Sequence, residues 1–148
     1  MEKECPFCIA PEIGARTIVK NDLAFAFLTY IPVVTGHVLI SPIRCVPRFD
    51  DLTDLEKEAI FDLRKKVKNV LIKTFGAEGF NYAWNEGKVG GQSVPHFHLH
   101  MVPRKKGDTG VYGYEPRNFF YRTGVSEARK IVPEKELERI AEDIRKEL

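Results

Sequence analysis

What this sequence has little of narrows it first. It has three cysteines, an odd number that fits poorly with a secreted disulfide framework. Neither sign of charge is in excess. The 23 Lys and Arg against 21 Asp and Glu leave +2, too little to argue for a nucleic-acid or membrane partner. No apolar run approaches the length of a transmembrane helix, and the opening Glu2, Lys3 and Glu4 lack the apolar stretch of a secretory signal. The expected location is therefore cytoplasmic. No internal repeat or low-complexity segment is visible. What is there is 148 residues, 43% hydrophobic and 30% charged, the profile of one globular domain, 1–148, with a core of its own.

The most informative stretch runs from His96 to Arg104. His96, His98 and His100 alternate with Phe97, Leu99 and Met101. Strict alternation is the period of a strand, so one face carries three imidazoles and the other enters a core. Residues i and i+2 of a strand lie roughly 6.5–7 Å apart, so neighbouring rings can share one phosphate-sized ligand. Imidazole can act as nucleophile, acid or metal ligand near neutral pH. The plain alternative is a half-exposed strand whose polar face happens to hold histidine. Another is zinc on His96, His98 and His100. Cys5 and Cys8 form a C-x-x-C pair, either a redox motif or half a metal site. No strand precedes them, which argues against redox chemistry. Half a metal site needs two more ligands, for which Cys45 and one of the histidines are candidates.

The remaining elements follow in order. Thr17 to Lys20 and Leu23 to Tyr30 read as strands around a turn at Asn21-Asp22, and His37 to Ile40 as a third. Thr53-Asp54-Leu55-Glu56 is a capping box opening a helix to about Thr74, with Gly76 beyond its end. Its apolar stripe is read as Leu55, Ala59, Ile60, Leu63, Val67, Val70 and Leu71, facing a sheet. Gly79 to Asn85 is a fourth strand, and Glu86 to Gln92 a glycine-rich loop before the histidine strand. Asn118 to Tyr121 is a short strand or an aromatic arm. Pro133 starts a last helix with Leu137, Ile140, Ala141, Ile144 and Leu148 as its stripe. The order implies an α+β fold: about five antiparallel strands, one long helix and a C-terminal helix.

The run from Gly91 through Met101 resembles the signature of the histidine triad (HIT) superfamily, in which three histidines alternate with apolar residues. Gly36-His37-Val38-Leu39-Ile40-Ser41-Pro42 is similar to that family's upstream block, and Arg48-Phe49, Asp51-Leu52 and Asn85-Glu86-Gly87 also fit. The resemblance covers most of residues 5–108. It implies a HIT-like fold that joins with a second copy into one continuous sheet, so a homodimer is expected. The long amphipathic helix and the segment Tyr112 to Tyr121 are then candidates for the interface or for reaching the partner's site. A third histidine rather than glutamine implies hydrolysis rather than transfer. Met101 to Asp108 and Arg44 to Phe49 resemble the fragile-histidine-triad branch, whose substrates are dinucleoside polyphosphates. Asn85-Glu86-Gly87 and Gln92-Ser93-Val94 resemble the Hint branch, which hydrolyses nucleoside phosphoramidates.

The resemblance also implies roles. His98 is the nucleophile toward an α-phosphorus, with His100, Ser93 and His37 completing the catalytic face. Asn85, Gln92 and Gly91 face the phosphates, and Phe7, Leu23, Phe27 and Leu39 form a nucleoside shelf. Thr29 stands where the family usually has Asp or Asn for the ribose. Cys5, Cys8, Cys45 and His96 match the positions of a structural zinc site in zinc-bearing relatives, with cysteine in place of the usual third ligand. The chemistry itself requires no metal. The competing readings are a phosphoramidate hydrolase, a non-catalytic nucleotide-binding signalling module and a transferase that uses phosphate as acceptor. No nucleic acid or membrane partner is expected.

Overall fold

The computed structural model describes residues 5–120 and 129–148. Two short helices come first, α1 (Pro6–Ile9) and α2 (Pro11–Ala15). Each has proline at its first position, where a missing N–H costs nothing and φ is already helical. Five strands follow: β1 (Thr17–Lys20), β2 (Ala24–Leu28), β3 (Val38–Pro42), β4 (Gly79–Ala83) and β5 (Leu99–Arg104). They form one antiparallel sheet in the order β1-β2-β3-β5-β4. This is the α+β architecture expected from the sequence.

The long helix α3 (Asp54–Phe75) separates β3 from β4. Its start is fixed by the capping box. Thr53 Oγ1 accepts from Glu56 N at 3.1 Å, and Glu56 Oε1 accepts from Thr53 N at 2.9 Å. Its end is Gly76, at φ 68°, a left-handed cap that glycine adopts without strain. After it come a short helix α4 (Arg117–Phe120) and the final helix α5 (Glu134–Lys146). Among the described residues no helix is long and apolar enough to cross a membrane.

The two faces of the sheet have different tasks. Ala24, Ala26 and Leu28, with Val38, Ile40, Leu99 and Met101, pack against α3 through Ile60, Leu63, Val67 and Leu71. Leu137, Ala141 and Ile144 of α5 join the same cluster. The other face carries Phe27, Leu39 and the triad side chains, and α1 and α2 lie against it through Phe7 and Ile13.

Four readings change. Leu55 is 68% exposed, and the buried residue at that end of α3 is Glu56. A helix turns about 100° per residue, which puts Glu56, not Leu55, in phase with Ile60 and Leu63. Arg44 also holds Glu56 inward, at 2.7 and 3.0 Å. Leu148 is 56% exposed, beyond the end of the α5 stripe. Asn118 to Phe120 belong to α4, not a strand, and Tyr121 lies outside the described residues. The ladder of β5 begins at Leu99; the chain before it is held by Phe97 N donating to Val46 O at 2.7 Å.

Candidate active site

Four hydrogen bonds set the protonation of the four histidines. A carbonyl only accepts, so each ring nitrogen that meets one carries the proton. His98 Nδ1 donates to the His96 carbonyl at 2.8 Å, which leaves the Nε2 lone pair of a neutral ring unused. His96 Nε2 donates to the Pro42 carbonyl at 2.7 Å, which bares its Nδ1. His37 Nδ1 accepts from Val33 N at 3.0 Å, so its proton is on Nε2, 3.0 Å from His100 Nδ1. That nitrogen of His100 therefore accepts, and His100 Nε2 carries a proton to offer. An unused lone pair and a hydrogen-bond donor stand side by side, with ring centroids 5.1 Å apart.

Burial keeps these rings neutral. All four are at most 8% exposed, and desolvation is the main reason each holds its proton less tightly than a free imidazole. His100 is pushed down to about 3, with His98 and Arg129 adding repulsion. For His98 the bond to the His96 carbonyl opposes the burial effect. A neutral imidazole is the form that can attack phosphorus.

An apolar shelf adjoins His98. The Phe7 ring stands edge-on to His98 at 5.1 Å and to Phe27 at 5.1 Å. Leu39 shares that cluster, together with Ile13, Ala10 and Phe25, which the sequence reading missed. The period-2 spacing of Phe25 and Phe27 signals a common face; nothing periodic points to Ile13. Leu23 is 36% exposed and outside the cluster. Thr29 is buried, and its hydroxyl accepts from Ile31 N at 3.3 Å.

The glycine-rich loop is pinned rather than open. Gln92 Nε2 donates to the Pro47 carbonyl at 2.8 Å, and its Oε1 accepts from Gly87 N at 3.0 Å. The amide expected to face phosphate thus holds the loop in place. Asn85 Nδ2 lies 3.5 Å from the Gly91 carbonyl, also bracing the loop. Gly91 sits at φ 95°, where a side chain would be strained. Ser93 is exposed.

A second cluster lies at the His96 end. Ligand atoms of Cys5, Cys8, Cys45 and His96 all lie within 4.8 Å of one another. His96 Nδ1 is 3.3 Å from Cys5 Sγ and 3.6 Å from Cys8 Sγ. In a tetrahedral zinc site the N to S edge is about 3.5 Å. The Pro42 carbonyl fixes the tautomer that turns a bare nitrogen toward the sulfurs, the usual outer partner of a metal-bound histidine. The donor set fits a closed structural site. Among the described residues it is these four that converge, not His96, His98 and His100.

A family model described as HIT domain matches residues 10–107. The chain is similar to the bis(5'-nucleosyl)-tetraphosphatase (asymmetrical) of Schizosaccharomyces pombe, 40% identical over 108 residues, 73% of this chain and 59% of that protein. It is also similar to the bis(5'-adenosyl)-triphosphatase of Dictyostelium discoideum, 40% identical over 88 residues, 60% of this chain and 59% of that protein. Less than two thirds of either relative is therefore spanned. Among solved structures, the Caenorhabditis elegans NitFhit protein superposes with a TM-score of 0.72 at 29% identity, over 90% of this chain and 27% of that one.

Proposed function

The chain belongs to the HIT-domain family, and from that premise we propose that it hydrolyses dinucleoside polyphosphates through a nucleotidyl-histidine intermediate. One observation carries the reading: the unused Nε2 lone pair of His98, buried and neutral, between an apolar shelf and the Nε2 proton of His100. The activities named for the two relatives support the substrate class.

The nucleoside lies on Phe7, Phe27 and Leu39, extended by Ile13 and Phe25. The His98 Nε2 lone pair attacks the α-phosphorus and forms an N–P bond. The bond from that phosphorus to the bridging oxygen breaks, and its electron pair leaves with the nucleoside polyphosphate. Water then attacks the same phosphorus and releases one proton to solvent, the N–P bond breaks, and the lone pair returns to His98 as the monophosphate departs. Phosphoryl transfer is largely positioning and stabilisation of charge on the non-bridging oxygens. His100 Nε2–H serves those oxygens, and His37 holds His100 in the tautomer that can donate. Ser93 reaches the phosphates from the loop rim, while Gln92 and Asn85 fix that loop.

Cys5, Cys8, Cys45 and His96 hold a zinc ion in this reading, which closes the N-terminal helices onto the sheet and takes no part in bond making. The protein works as a homodimer in this reading, through β4, one of the two edge strands of the sheet, where Tyr82 and the nearby Trp84 are exposed. The test is His98→Ala against wild type on diadenosine tetraphosphate, with acid-quenched trapping of radiolabelled nucleotide. Loss of turnover with an unchanged melting temperature, and label on the wild type alone, is the expected result. Full turnover by His98→Ala would overturn the assignment.

A further inference from the structure

The far side of the triad holds a cation that the mechanism above does not use. The Arg129 guanidinium is half-buried, and its Nη1 donates to the Ile31 carbonyl at 2.8 Å. Its Cζ lies 4.8 Å from the Phe119 ring centroid. Phe119 in turn stands edge-on to His100 at 5.1 Å and to His37 at 5.6 Å. Among the described residues no carboxylate forms an ion pair with Arg129. A guanidinium has five N–H donors in a planar fork, and one carbonyl uses only one of them. A partly desolvated cation without a counter-ion is costly unless an anion arrives to pair with it. Burial lowers the Arg129 value from the ordinary guanidinium range, while the Tyr114 and Tyr30 phenols oppose that change.

The position of the cation indicates which anion. Phe7 marks the nucleoside end of the site, because it touches His96 and His98. Phe119 and Arg129 mark the other end, because Phe119 touches His100 and His37. A substrate seated with its base on Phe7 and its α-phosphorus at His98 has the rest of its phosphate chain left to place. Arginine matches phosphate oxygens two at a time, and such charge-assisted pairs are among the stronger hydrogen bonds.

We propose that Arg129, braced on Phe119 beyond His100, binds the phosphate chain of the leaving group and so selects substrates whose leaving group is an anion. This rests on the reading that His98 attacks an α-phosphorus. When the bond to the bridging oxygen breaks, the departing polyphosphate gains negative charge on that oxygen. The guanidinium stabilises that charge. A phosphoramidate, whose leaving group departs as ammonia, presents nothing for it to hold.

The experiment compares wild type, Arg129→Gln and Arg129→Lys on two substrates, diadenosine tetraphosphate and adenosine 5'-phosphoramidate. Arg129→Gln is expected to lose about tenfold or more in kcat/KM on the tetraphosphate and less than about twofold on the phosphoramidate. Arg129→Lys should recover part of the loss, since it restores charge without the fork. Inorganic triphosphate should inhibit wild type competitively and Arg129→Gln more weakly. Equal losses on both substrates would show that Arg129 only braces the Ile31 loop, and would overturn the proposal. No loss on either would overturn it too. Wild type that cleaves the phosphoramidate alone rejects the proposal and keeps His98 as nucleophile. Wild type that cleaves neither, with no label on His98, removes both readings.

Discussion

At the scale of single residues, His37 shows how one buried side chain can fix the tautomer of another. Its ring is fully buried, fixed by Val33 N on one side and His100 Nδ1 on the other. Replacing it by leucine frees His100 to take either tautomer and leaves the Val33 N–H without its acceptor. His37→Leu should therefore lower kcat by on the order of a hundredfold, with KM little changed. An unmet buried donor should also cost about 1–3 kcal/mol in stability, read from denaturant unfolding. The same two rings make a pH prediction. Burial keeps both neutral in the fold, while in the unfolded chain each takes up a proton as pH falls below about 6.5. The unfolded state then binds more protons than the folded one, so stability declines with falling pH. The decline begins near that value and runs toward the folded His100 value of about 3. Thermal melts between pH 7.5 and 4 should show it, and His100→Gln should flatten part of the slope. An unchanged slope would mean that His100 is not held neutral by the fold.

At the scale of elements, α3 is the part most plainly written in the chain. Its start, its end and most of its stripe follow from Thr53, Glu56, Gly76 and the spacing of Ile60, Leu63 and Val67. Thr53→Ala removes the cap on Glu56 N and should cost about 1 kcal/mol by denaturant unfolding. Leu63→Ala, fully buried between helix and sheet, should cost about 2–5 kcal/mol. What was not legible shares a physical cause. Glu56 stands in phase with Ile60 and Leu63, yet a carboxylate reads as outward until Arg44, twelve residues upstream, is seen to pair with it, and local residue order carries no record of that pairing. The helices α1 and α2 have four and five residues, too few to show a period, and only Pro6 and Pro11 mark their starts. The alternation of His96 to Met101 announced the face on which the imidazoles gather. The use of Gln92 on the Pro47 carbonyl, and the arrival of Arg129 beside Phe119, depend on how distant loops meet. Such meetings are settled by packing, not by local residue order.

At the scale of the whole molecule, the cysteine cluster ties the apolar shelf around Phe7 to the sheet. Cys5 and Cys8 flank Phe7, and the contact from Cys5 to His96 closes a separation of 91 residues. Metal at such a junction stabilises the folded chain, because the unfolded chain offers no preformed site. It also fixes α1, which has only a single turn of its own. The purified protein should carry close to one zinc per chain by elemental analysis. Stripping it with a strong chelator, or making Cys45→Ser, should lower the melting temperature. The kinetic signature should be selective. Loosening Phe7 weakens nucleoside binding, so KM should rise severalfold while kcat at saturation falls much less. The His98 tautomer is set by the His96 backbone carbonyl rather than by its ring, and so persists without metal. A triad-bound metal predicts the opposite, collapse of kcat on chelation with KM unmoved. Metal-free protein with an unaltered melting temperature would remove the zinc site and leave the phosphorus chemistry standing.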